Sequence, residues 1–207
     1  MISNNSVYIM GNRGNMAKRY AAVLDYLGVS YSGHDLVDTV SESEIKRHTH
    51  ILICTPTENH LEDLENLGRF QKPMLCEKPF TKEIDLLWKF EKKNKAILPL
   101  ISMVNQYAQL TNVNDPGGPT VYNYFKSGGD GIAWDCINII GLSRGTVEVL
   151  TTSPFWHCSI NGKKLKLSDM DYAYIDMIID WLRVPKGNWE YARIAHAKVV
   201  NYLEEGL

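Results

Sequence analysis

Lys78, set between Glu77 and Pro79 directly after the apolar run Met74-Leu75-Cys76, places a charged side chain where a short strand ends. An ammonium in such a place can stabilise negative charge growing on an oxygen and can relay a proton. Upstream stand Thr55-Pro56, after the apolar run Ile51-Leu52-Ile53-Cys54, and the glycine turn Gly11-Asn12-Arg13-Gly14-Asn15-Met16-Ala17, after Val7-Tyr8-Ile9-Met10. A phosphate needs close backbone approach and unpaired N–H donors, and glycines that lead into a helix N-terminus provide both. The pattern is Gly-x-x-Gly-x-x-Ala, one residue longer in its first step than the usual dinucleotide fingerprint. Gly11 allows the tight turn, Gly14 the approach of a pyrophosphate, and Ala17 the packing of helix on strand, with Asn12, Arg13, Asn15 and Met16 completing the cradle. Asp35 ends the run Val29–His34 and is the candidate for ribose hydroxyls. An acid there repels a 2′-phosphate, which favours NAD(H), while Arg13 can offset that repulsion and admit NADP(H). The same glycines would also serve a strand-to-helix connection that binds nothing, and Asp35 a solvated strand end.

The elements that must position these residues alternate. Met16, Tyr20, Val23, Leu24 and Leu27 recur at helical spacing before Gly28, which predicts a helix over 15–27. Ser41-Glu42-Ser43-Glu44 reads as a capping box opening a short helix that ends near Arg47. Leu61, Leu64, Leu67 and Phe70 mark another helix, and Ile84, Leu87, Trp88 and Phe90 form the buried side of one over 82–94. A strand is expected over 96–104. Strand and helix alternation through the first hundred or so residues implies a Rossmann-type, doubly wound parallel sheet, whose ligands bind beyond the carboxyl ends of its strands.

The segment Asp115-Pro116-Gly117-Gly118-Pro119 breaks this pattern, so a dinucleotide-binding domain is placed at 1–105 and a small α+β domain with an antiparallel sheet at 106–207. In the second domain, strands are expected at 121–125, 145–150, 155–160 and 163–167, with helices near 132–142, 172–182 and 189–205. Asn161-Gly162 is a hairpin signal.

The chain of 207 residues carries a formal net charge of −2, which gives no reason to expect a nucleic-acid partner. No apolar run reaches the ~18 residues of a membrane span, and the N-terminal segment does not read as a leader, so a cytoplasmic protein is expected. Cys54, Cys76, Cys136 and Cys158 form no Cys-x-x-Cys pair, and neither His48-Thr49-His50 nor His157-Cys158 has a second ligand pair at motif spacing. No metal site is expected.

The glycine turn, Thr55-Pro56-Thr57-x-x-His60 and Cys76-Glu77-Lys78-Pro79, in this order, resemble the Gfo/Idh/MocA family of NAD(P)-dependent oxidoreductases over residues 6–104. The resemblance implies that Thr55, Pro56, His60 and Glu77 line the cofactor and that Lys78 sits beside the nicotinamide and the reacting hydroxyl or carbonyl; read by themselves, His60 would also serve to cap or pack at a helix start and Lys78 as a surface lysine that ends the strand. The family's second-domain Asp-x-Gly-x-x-His-like signature supplies a histidine that acts as acid/base in many members. Here Gly128–Ile139 matches its start and gives Asp135, with Asn138 and Ile139 where the histidine would be sought. Asn cannot titrate near neutral pH, so the proton would come from Lys78, Asp135, a tyrosine or water. Asp135 would also serve as a helix N-cap. Asn105 and Asn138 are candidate substrate contacts. The resemblance further implies a homo-oligomer, a dimer first, built through the sheet of a second domain shorter than in typical members.

Three readings follow. One is a dehydrogenase or reductase acting on a sugar-like, nucleotide-sugar or related small molecule with NAD or NADP. Another is a dinucleotide-binding regulator or sensor without catalysis. The third, a nucleic-acid accessory protein using aromatics such as Tyr122, Tyr124 and Trp134, fits the acidic balance least.

Overall fold

The computed structural model describes residues 2, 4–35, 38, 41–110, 121–123, 134, 136–142, 147–149, 158–160 and 163–205. The chain divides into two units, Met1–Val104 with Ile178–Trp189, and Asn105–Met177 with Glu190–Leu207.

The first unit is built on five parallel strands, β1 (Ser6–Met10), β2 (Ser30–His34), β3 (His50–Ile53), β4 (Met74–Cys76) and β5 (Ile101–Met103), in the order β2-β1-β3-β4-β5. Helices α1 (Asn15–Leu27), α2 (Glu42–Arg47), α3 (His60–Gly68) and α4 (Ile84–Lys93) make the crossovers. Strands β3 and β4 are buried along their whole length, as expected for strands covered on both faces. The order reverses between β1 and β3, which is the switch point where open α/β sheets bind ligands.

Helix α1 has the predicted bounds, and its core face is Ala17, Tyr20, Val23 and Leu24, while Met16 and Leu27 are only half-buried. Gly28 closes it at φ 65°, with its N–H on Asp25 O and the Val29 N–H on Leu24 O. Three local expectations differ. The Ser41 hydroxyl meets Ser43 rather than capping α2, because the Glu44 carboxylate is taken by the Ser32 hydroxyl of β2 at 2.5 Å. In α4, Leu87 and Phe90 are buried but Trp88 is 45% exposed. The strand expected over 96–104 shrinks to β5, since Leu98–Leu100 forms a 3-10 turn that contains Pro99.

The outer edge of β5 is covered by Lys186–Asn188. Asn188 N–H donates to Ile101 O at 3.1 Å, its side-chain oxygen accepts from Met103 N–H at 2.7 Å, and its side-chain nitrogen donates to Met103 O at 2.9 Å. One amide side chain thus pairs both polar groups of an edge residue, which blocks edge-to-edge association. A Cβ on Gly187 would lie 2.6–2.8 Å from the carbonyl oxygens of Ile101, Pro99 and Leu98, so only glycine fits there. Trp189 stacks against Phe80 and Phe90, each at 5.4 Å between ring centroids.

The described strands of the second unit are β6 (Val121–Asn123), β7 (Val147–Val149), β8 (Cys158–Ile160) and β9 (Lys163–Lys164), in the order β7-β6-β8-β9. Pairs β6–β8 and β8–β9 are antiparallel, but β6–β7 is parallel. The expected antiparallel sheet is therefore mixed. The cause is α5 (Ile137–Leu142), which falls between β6 and β7 and can return the chain for a parallel pairing. Helix α6 (Leu167–Arg183) begins in this unit and ends in the first, and α7 (Trp189–Glu205) follows. A Cβ on Gly141 of α5 would lie 2.6 Å from Ala195 Cβ of α7, and Lys198 Nζ donates to Gly141 O at 3.1 Å.

His50 in the first unit and His196 in the second are buried, and burial pushes both imidazoles down from 6.5 to about 4. Unfolding between these values takes up protons, so this contribution to stability is complete above pH 6.5 and is lost as pH falls toward 4. Urea midpoints measured at pH 7 and pH 4.5 should show the loss. The fall should be shallower in His50→Leu, which has no imidazole to protonate.

Candidate active site

Asp35, Gly11, Thr55 and Lys78 follow β2, β1, β3 and β4, so the sheet order sets them in a row along its carboxyl edge. At about 4.8 Å per strand the row spans roughly 14 Å. Backbone bonds fasten it: Gly11 N–H and Asn12 N–H both donate to His34 O at 2.9 and 3.2 Å, Cys54 N–H to Met10 O at 2.8 Å, and Glu77 N–H to Ile53 O at 2.9 Å.

Gly11 has φ 80°, and a Cβ there would lie 2.8–2.9 Å from the Cys54 carbonyl and Thr55 N, so both conformation and space demand glycine. Gly14 is the N-cap of α1, with no side-chain cap, and its N–H donates to Gly11 O at 3.2 Å. The amides of Gly11, Asn12 and Gly14 are therefore used by the fold. Lys18 N–H makes the first helical bond, to Gly14 O at 3.1 Å, which leaves the N–H groups of Asn15, Met16 and Ala17 without intrahelical acceptors. Asn12 Oδ1 is buried without a hydrogen-bond partner.

Arg13 and Asp38 form a bidentate pair at 2.9 and 3.2 Å, and Asp38 Oδ2 also accepts from the Asp35 N–H at 2.9 Å. Nothing in the sequence pattern singled out Asp38. Beneath this edge, the Tyr8 hydroxyl meets His34 Nδ1 at 2.6 Å. Burial pushes the Tyr8 phenol up to about 12, helped by Glu44, and pushes the His34 imidazole down.

Glu77 is buried and accepts from the Tyr20 hydroxyl of α1 at 2.6 Å and from the Lys78 N–H at 3.1 Å. Its carboxylate is spent on holding the backbone that carries Lys78. Pro56 is exposed, whereas Thr55 is buried and its hydroxyl donates to Asp63 at 2.5 Å. Burial pushes the Asp63 carboxyl up, against the opposing pull of Thr55 and His60. His60 is 1% exposed, with both ring nitrogens 2.7 Å from backbone carbonyl oxygens, those of Thr55 and Pro79. It has no ring nitrogen left for a ligand. The thiols of Cys54 and Cys76 are pushed up by burial and then by Glu77, which removes them as nucleophiles.

In the second unit, Asn138 is buried. Its side-chain nitrogen donates to Gln106 at 3.3 Å, and the Tyr191 hydroxyl donates to its backbone carbonyl at 3.0 Å and to its Oδ1 at 3.4 Å, so its side chain serves internal packing. Asn105 Oδ1 is buried without a partner. Asp135 lies outside the described residues. Among the described residues no cluster of His, Cys, Asp and Glu could hold a metal, and no helix is long and apolar enough to cross a membrane.

Strand order, switch point and glycine turn define a Rossmann-type doubly wound domain. The chain is similar in fold to Gfo/Idh/MocA-type dehydrogenases. A myo-inositol dehydrogenase from Corynebacterium glutamicum superposes with a TM-score of 0.69 at 12% identity, covering 97% of this chain and 96% of that one. A Gfo/Idh/MocA family oxidoreductase from Vibrio cholerae gives 0.68 at 10%, covering 98% and 99%. The WlbA (WbpB) dehydrogenase from Thermus thermophilus, solved in complex with NAD and UDP-GlcNAcA, gives 0.62 at 13%, covering 96% and 94%. No family model and no curated protein matches the sequence.

Proposed function

We propose that the protein is a nicotinamide-dependent oxidoreductase acting on a hydroxyl or carbonyl of a sugar-like, nucleotide-sugar or related small molecule. The observation that carries this reading is the row itself. Asp35, the glycine turn and Lys78 stand in the order in which a dinucleotide presents its adenosine ribose, pyrophosphate and nicotinamide. The residues fit such a group, since first-turn N–H groups of α1 lack intrahelical acceptors and Asn12 Oδ1 is buried without a hydrogen-bond partner. When bound, the cofactor supplies the hydride chemistry. Among this chain's residues, Asn15 and Met16 bind phosphate through their amides, Asp35 takes the ribose, and Thr55 and Pro56 form the wall beyond the switch point. Lys78 polarises the reacting oxygen. The surface of a homodimer belongs to the second unit.

Calorimetry with NAD, NADH, NADP and NADPH tests this reading. Micromolar binding of one pair supports it and directs a substrate screen; no binding of any of the four would refute it.

Asp38 gives a sharper expectation. It holds Arg13 and adds a second carboxylate beside Asp35, so the wild type should prefer NADH to NADPH. Asp38→Asn removes that charge and releases the guanidinium, and should strengthen NADPH binding about tenfold relative to NADH, ~1.4 kcal/mol. Fluorescence titration of both reduced forms checks it, and an unchanged ratio would show that Arg13 does not reach the 2′-position.

A further inference from the structure

His60 opens α3, and its ring lies between two segments that belong to different strand ends. Nδ1 is 2.7 Å from the carbonyl oxygen of Pro79, and Nε2 is 2.7 Å from that of Thr55. A carbonyl can only accept, so each contact needs a proton on the ring nitrogen that faces it. A neutral imidazole carries one such proton and would set its bare nitrogen against the other oxygen; the imidazolium satisfies both. The site is closed to water at 1% exposure, so no solvent molecule can relieve that mismatch. The nearest carboxyl to pair with an imidazolium is Asp63, one turn along α3 and itself buried; burial pushes that carboxyl up, and Thr55 and then His60 oppose the rise. The other titratable groups on the surrounding elements are exposed Glu58 just before α3, Glu62 and Glu65 on α3, Cys54 after β3, Cys76 on β4, and Glu77 and Lys78 after it.

The two carbonyls are placed where they matter. Thr55 is in contact distance of the Gly11 turn, and Pro79 follows Lys78 directly. Lys78 is braced on its other side by Glu77, which takes both its N–H and the Tyr20 hydroxyl. We propose that His60 is a positioning residue. As a doubly donating imidazolium it clamps the Pro79 carbonyl to the Thr55 carbonyl, and so fixes the Lys78 side chain relative to the glycine turn. The consequence for turnover rests on the reading of Lys78 given above, whereas the clamp itself does not.

The first test uses the wild-type protein with ¹⁵N-labelled histidine at neutral pH. Long-range proton–nitrogen spectra, with the His60 signals assigned by their loss in His60→Gln, should show a proton on both ring nitrogens. One protonated and one bare nitrogen would overturn the proposal. The second test compares reductive methylation of individual lysines, mapped by mass spectrometry, in wild type and in His60→Gln. Lys78 should be labelled severalfold faster in the variant, with exposed Lys82 and Lys89 unchanged; an unchanged Lys78 rate in a variant that still melts cooperatively would overturn the clamp. If Lys78→Met stops turnover but folded His60→Gln keeps the wild-type kcat, the positioning role fails while the reading of Lys78 stands. If Lys78→Met keeps turnover, the reading of Lys78 fails and takes the consequence for turnover with it, while the clamp stands or falls by the first two tests.

Discussion

Gly11→Ala should destabilise the first unit by about 3 kcal/mol and abolish dinucleotide binding. Two costs add. At φ 80° a side chain pays about 1–2 kcal/mol for its conformation. The new methyl would also lie 2.8 Å from the carbonyl carbon and oxygen of Cys54, and this backbone cannot retreat freely, because Cys54 N–H is bonded to Met10 O and Gly11 N–H to His34 O. Losing alignment in one such bond costs about 1 kcal/mol. For a chain of this size the melting temperature should fall by roughly 6–12 °C. Gly14→Ala is the control, since Gly14 has φ −66° and its added Cβ would meet only Gly11 O at 3.4 Å and Cys54 O at 3.7 Å, ordinary contacts. That variant should lose no more than about 1 kcal/mol of stability as a poorer N-cap, yet bind NADH at least about tenfold more weakly if a pyrophosphate rests over it. Thermal melts and NADH titrations of the pair separate a glycine needed by the fold from one needed by a ligand. Unchanged binding in Gly14→Ala would move the phosphate elsewhere.

What the sequence made legible was local. The run from β1 through the glycine turn to Gly28 could be read because a strand, two glycines and one helical repeat carry their instructions within two dozen or so residues. Glu77-Lys78-Pro79 could be placed at a strand end for the same reason. The departures come from partners distant along the chain. Ser41-Glu42-Ser43-Glu44 has the composition of a capping box, but Ser32 competes for Glu44 once β2 packs beside α2. A hydrophobic repeat cannot show that Trp88 faces outward, nor that Asn188 completes an edge strand 85 residues away. The parallel β6–β7 pair was missed because a strand-like run carries no direction in its sequence. Within the site, the alternation of strand and helix placed the glycine turn and Lys78 at one end of a parallel sheet, while their order in the row waits on the strand order. The division of labour was not legible: the sequence does not show that the His60 ring and the Glu77 carboxylate meet groups of the fold, and Asp38 and Asp63 are ordinary acids until the fold sets them against Arg13 and Thr55.

Lys78→Met should lower kcat about 10³-fold, roughly 4 kcal/mol of transition-state stabilisation, and leave NADH affinity within a factor of about three. Methionine keeps the apolar length of the stem, so packing around it changes little; only the charge and its protons are lost. In the proposed reading, binding of the dinucleotide draws on the α1 amides and on Asp35, two and three strands from Lys78 across the sheet, and has no need of the ammonium. The reacting oxygen would need it, because negative charge grows there as hydride leaves or arrives, and a positive group fixed in advance acts without reorganisation. Fixing is what the surroundings provide: Glu77 holds the Lys78 N–H and is itself held by Tyr20, His60 holds Pro79, and Phe80 is fully buried against Trp189. Lys78→Arg refines the expectation. It keeps the charge but puts a planar, permanently protonated guanidinium where a compact ammonium stood, so it should restore some electrostatic stabilisation and none of the proton relay. Steady-state kinetics with the substrate found by the screen, beside NADH titration of the same samples, reads both effects. A Lys78→Met protein that binds NADH and turns over normally would assign the polarising charge to another group. One that no longer binds NADH would make Lys78 a cofactor contact, and the lysine would then act in the ground state as strongly as in the transition state.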